Sequence, residues 1–73
     1  MVPLITAGNG DTGSIVRITG RDETRRHLAE LGFVVGADVT VLNRVGGSMI
    51  LAVKDSRVAL DQTMAARISV DPR

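Results

Sequence analysis

Glu23, His27 and Glu30 stand at i, i+4 and i+7 of a stretch with helical character, so they share one helix face. Two carboxylates and an imidazole make a donor set suited to a divalent ion, Fe2+ or Zn2+. His27 is the single histidine and there is no cysteine, which removes thiolate metal sites and disulfide frameworks from consideration. The same three residues equally suit a solvated helix flank, where Glu near His is favourable without any metal. Three ligands on one exposed helix also lack a closed cage. No cofactor is required by anything in the chain, and a divalent metal is the one candidate.

Catalytic chemistry finds less support. Ser14, Ser48, Ser56 and Ser69 fall on or beside expected strands and turns, with His27 the sole imidazole to serve as a base. There is no nucleophile elbow, phosphate loop or paired-carboxylate signature. Gly8-Asn9-Gly10 opens like a nucleotide-binding loop, but neither a helix nor Gly-Lys-Ser/Thr follows. The chain is therefore read as non-enzymatic. Arg21, Arg25 and Arg26 form a small basic cluster. Arg26 has Asp22 and Glu30 four residues away on either side, so the cluster reads as an ion-pair face or an anion site.

The element that must position these side chains is a helix over about Glu23–Leu31, with Asp22 as the expected N-cap. Thr24, Leu28 and Leu31 recur at i, i+4 and i+7 as its buried stripe. Gly32 stands where a left-handed residue ends a helix. That makes Leu28 and Phe33 the apolar pair that touches in a Schellman stop. Val34-Val35-Gly36-Ala37 then reads as a type II turn with Gly36 at its positive-φ position.

Around the helix the pattern is that of strands. Val2–Ile5 contains Pro3 and is expected as an edge strand or extended arm, followed by a loop at Ala7–Asp11. In Gly13–Thr19, Val16 and Ile18 alternate with Arg17 and Thr19. Ala37–Val45 and Ser48–Lys54 form a hairpin. A three-residue loop, Gly46-Gly47-Ser48, pairs Val45 with Met49, Asn43 with Leu51 and Val41 with Val53. This register gathers Val39, Val41, Val45, Met49, Leu51 and Val53 on one face. A tight turn at Asp55-Ser56 sets Val53 against Val58 and Leu51 against Leu60. Asp61 is expected to cap a helical turn over Gln62–Arg67 with Met64 and Ala65 inward, and Ile68 and Val70 to form a closing strand. About five short strands with one inserted helix make a mainly β domain, bent into a small barrel that limits free edges. The other face of the hairpin carries Leu42, Ile50, Ala52 and Ala59 among Thr40, Arg44, Lys54 and Arg57. It reads as strand surface half-buried by the bend, or as a docking patch for a partner or a second copy.

Seventy-three residues make a single domain, 1–73, with one small core. The net charge is +1 with the signs interspersed, which argues against a nucleic-acid partner. Phe33 is the one aromatic residue, so there is no stacking platform for bases and no aromatic groove for proline-rich peptides. No run is long enough to insert in a membrane and no export signal opens the chain, so a cytoplasmic protein is expected.

With these elements in place, the chain resembles the FeoA family, small cytosolic accessory proteins of ferrous iron uptake. Gly13–Gly20 looks like the family's opening strand. Arg26-His27-Leu28-Ala29-Glu30-Leu31-Gly32-Phe33 is similar to its Arg-x-Leu-x-x-Leu-Gly helix signature, and Gly36–Val41, Val58-Ala59-Leu60, Ala65 and Ile68-Ser69-Val70 continue the pattern. Val35 stands where the family often has Pro, and Asp61 where a basic residue is common. The resemblance implies an SH3-like barrel and a non-enzymatic role, docking on the cytosolic G-protein domain of the FeoB membrane transporter. The candidate contact residues are Arg25, Arg26 and Glu30 on the helix, with Leu42 and Ile50 on the hairpin. The alternative it implies is a metal-responsive interaction module, like the C-terminal SH3-like domain of DtxR-type iron-dependent regulators; the helix spacing would centre such a switch, or an oligomer, on Glu23, His27 and Glu30.

Overall fold

The computed structural model describes residues 1–73. Six antiparallel strands form one bent sheet in the order β1-β6-β2-β3-β4-β5. These are β1 Val2–Pro3, β2 Thr12–Ile18, β3 Asp38–Val45, β4 Ser48–Val53, β5 Ser56–Asp61 and β6 Ile68–Pro72. The helix α1, Asp22–Glu30, lies between β2 and β3, and a single turn, α2, Gln62–Ala65, between β5 and β6. A 3-10 turn at Leu4–Thr6 follows β1. The architecture is the small mainly β barrel with one inserted helix, with β1 as a sixth strand of only two residues. Thirteen apolar side chains form one core, fully buried at Leu4, Ile15, Leu28, Phe33, Met49, Leu51 and Ile68.

The helix stop has the geometry its residues call for. Gly32 sits at φ 105°, its N–H donates to the Ala29 carbonyl at 3.0 Å, and the Phe33 N–H donates to the Leu28 carbonyl at 2.9 Å. These are the two bonds of a Schellman motif, and Leu28 and Phe33 are the buried pair beside it. The turn behind it closes through Ala37 N–H to Val34 carbonyl at 3.0 Å, with Gly36 at φ 94°. The helix start differs by a residue. Arg21 is the N-cap, in extended conformation and without a side-chain bond, while the Asp22 carboxylate accepts from the Arg25 guanidinium one turn on. An i,i+3 ion pair thus takes the carboxylate that capping would have used. At α2 the capping expectation holds, because Asp61 Oδ1 accepts from the Met64 N–H at 2.8 Å.

Two registers depart from simple alternation, and a third from the pairing expected. The β3–β4 loop has two residues, Gly46-Gly47, and pairs Val45 with Ser48 and Arg44 with Met49. A β-bulge at Leu42 then restores the phase, so Val41 faces Leu51 and Val39 faces Val53. Five of the six residues assigned inward are buried, but Val45 is 59% exposed and Arg44 shares the side of Met49. At the next hairpin the turn is Lys54-Asp55, and it pairs Val53 with Ser56, Leu51 with Val58 and Met49 with Leu60. This is two residues away from the register expected, and a two-residue slip leaves every side chain on its own face. A second bulge, at Val16, lets Ile15 face Val70 and Ile18 face Ile68, so Ile15 rather than Val16 enters the core.

Candidate functional site

The core and the turns absorb most of the apolar residues, and the surface remainder falls into three places. On α1, Glu23, Arg25, Arg26, His27 and Glu30 are all exposed, while Leu28 is buried beneath them. Arg25 is held by Asp22, which fixes one guanidinium near the helix start. Nowhere do three or more His, Asp or Glu side chains gather closely enough to hold a metal ion. Glu23, His27 and Glu30 therefore share the helix without forming a ligand group by themselves.

The second place is the outer face of β3 and β4. The bulge at Leu42 turns both Leu42 and Asn43 toward Ile50, because two residues of the bulged strand oppose one on its partner. Leu42 is 38% exposed and Ile50 is half-buried beneath it. Ala59 of β5 continues the strip opposite Ile50. Arg44 does not belong to this surface. Its guanidinium donates to the carbonyls of Ile5, at 2.7 Å, and Ala7, and ties the N-terminal turn to β3.

The third place leaves no mark in the residue pattern. A cleft of about 240 Å³ opens between the N-terminal turn and the sheet, lined by Val2, Leu4, Ala7, Val39 and Val70 with Asp11 at its polar side. Its polar groups are already engaged, Thr6 Oγ1 donating to the Pro3 carbonyl at 2.7 Å and Asp11 Oδ2 accepting from the Gly8 N–H at 2.8 Å. A short arm interrupted by proline carries no periodicity, so neither the burial of Leu4 nor the cleft beside it could be read from spacing.

A bent antiparallel sheet with an inserted helix and a wholly apolar core is a small barrel of the SH3-like class. The FeoA domain model matches residues 2–72, and the chain belongs to the FeoA family. An iron uptake regulatory protein, FeoA, is 35% identical with a TM-score of 0.91, the match covering 99% of this chain and 96% of that one. A FeoA of Stenotrophomonas maltophilia complexed with zinc, described as a prokaryotic SH3 domain protein, is 27% identical with a TM-score of 0.76, over 88% of this chain and 82% of that one. A manganese-dependent transcriptional repressor is 27% identical with a TM-score of 0.89, over 97% of this chain but 41% of the longer repressor. No curated protein matches the chain. No helix is long and apolar enough to cross a membrane.

Proposed function

We propose that this protein is a cytoplasmic, non-enzymatic accessory of ferrous iron uptake that docks on the cytosolic G-protein part of a FeoB-type membrane transporter. The observation that carries this reading is the FeoA match over residues 2–72. The surface left over by the fold supports a binding role. Arg25, Arg26 and Glu30 offer charge along α1, and Leu42 over Ile50 offers an apolar strip at the β3 bulge. Charged flanks steer encounter and set orientation, whereas the apolar strip supplies most of the affinity. Pull-down of the nucleotide-loaded G-protein domain by this chain tests the reading. Retention that weakens with Leu42→Ser or with Arg26→Glu is expected. No retention under iron-replete conditions, with either guanine nucleotide, would remove it.

The likeness to a metal-dependent repressor favours a second reading, a metal-responsive module in which His27 and its neighbours bind Fe2+ or Zn2+. Since α1 alone gathers no three-ligand group, His27 would need donors from beyond this helix. Isothermal titration separates the two readings. Heat of Zn2+ or Fe2+ binding that vanishes in His27→Ala supports the metal role, and heat unchanged by the substitution excludes His27 as a ligand.

A further inference from the structure

The sheet is open, and its two edges are unlike. One is β1, only two residues long and ending in Pro3, a residue without an N–H that blunts an edge. The other is β5, six residues, Ser56–Asp61, with no proline and no strand beyond it. The two-residue turn Lys54-Asp55 makes Val53 and Ser56 the closing pair of the hairpin. Antiparallel pairs alternate between bonded and non-bonded, so Ser56, Val58 and Leu60 bond to β4 while the N–H groups of Arg57, Ala59 and Asp61 point off the edge. None of these three N–H groups donates in any of the turn or loop bonds of the chain.

We propose that β5 pairs antiparallel with β5 of a second copy of this chain, on a two-fold axis at Ala59. With Ala59 opposite Ala59, Arg57 of each copy stands opposite Asp61 of the other. The residues that meet as bonded pairs, 57 with 61 and 59 with 59, are the ones whose N–H groups are free. All three side chains lie on one face, the outer one, because they alternate with Val58 and the buried Leu60. Ala59 at the axis is exposed and small, which lets the two strands approach without a side-chain clash. Charge complementarity selects the partner. The chain's three ion pairs leave Arg57 unpaired, and Asp61 uses one oxygen, Oδ1, to cap α2, leaving Oδ2 for an arginine across the axis. Any other register on this edge breaks the Arg57–Asp61 match. The Ile50–Ala59 strip then runs continuously across both copies, giving the pair an apolar strip flanked by two ion pairs.

Sedimentation equilibrium and amide hydrogen exchange over a concentration series test this. Wild type is expected to dimerise, with the Ala59 N–H becoming protected as concentration rises. Arg57→Asp sets two carboxylates opposite each other twice and should weaken the dimer about tenfold. That substitution is on an exposed, unpaired side chain, so the fold is retained. Asp61→Lys sets two cations opposite each other and should weaken the dimer by a similar factor, with circular dichroism checking that loss of the α2 cap leaves the sheet intact. In a mixture of the two variants, the carboxylate introduced at position 57 of one faces the ammonium introduced at position 61 of the other. The native match of Asp61 with Arg57 survives at the second site, so a heterodimer should form at concentrations where each variant alone is mostly monomeric. A wild type that stays monomeric to millimolar-range concentration, Ala59 exchange that ignores concentration, or a dimer untouched by Arg57→Asp would overturn the proposal.

Discussion

At Gly32 the chain has room for a side chain but not the backbone for one. A Cβ built there would meet Val53 at 3.5 Å, an ordinary contact, while the φ of 105° lies where a Cβ-bearing residue is strained. Gly32→Ala is therefore expected to destabilise by about 1 kcal/mol or more through the backbone alone, measured as a lower denaturation midpoint with an unchanged slope. An unchanged midpoint would mean that the stop is not stabilised by the left-handed residue. This glycine was legible in the sequence because the chemistry is local: helix stripe, glycine and apolar residue follow one another within a few positions. The Asp22 cap was not, since a carboxylate at a helix start has two uses, and the choice fell to Arg25 one turn later.

At the scale of elements, the turn between α1 and β3 is the place to add rigidity. Val35 occupies the position where type II turns favour proline, is 65% exposed, and donates no backbone bond among the turn and loop bonds. Val35→Pro is expected to stabilise by about 0.4–1 kcal/mol by restricting the unfolded chain, seen as a raised melting temperature. A fall would show that the proline ring forces Val34 out of its turn conformation. The bulge at Leu42 explains where strand faces were misread, at Arg44 and Val45 beyond it. Hydrophobic alternation reports parity, and a bulge changes parity locally without leaving a mark in composition. Leu42 looks like any outward residue of β3, yet the extra position it occupies decides that Arg44 turns toward the N-terminal turn and Val45 toward solvent.

For the whole molecule, the N-terminal segment completes the barrel. Leu4 is 1% exposed inside the core, β1 pairs with β6, and Arg44 fastens the following carbonyls to β3. Leu4→Ala is expected to cost about 2–5 kcal/mol, a large share of the stability of a domain this small, and to appear as a steep loss of melting temperature. A loss well under about 1 kcal/mol would mean that the segment folds over a core already stable without it. The same closure separates the surfaces available for binding, with α1 on one connection, the Leu42–Ile50 strip on the outer hairpin face and the β5 edge beside that strip. What the amino-acid order determined by itself was whatever a few neighbouring residues settle: the helix and its stop, the turn at Gly36, the Asp61 cap, the inward faces of β4 and the resemblance to FeoA. The tertiary structure alone decided the bulged registers, the burial of Leu4 and which strand is left as the free edge. Those depend on contacts between residues far apart in the chain, and side-chain periodicity, being local, does not carry that information.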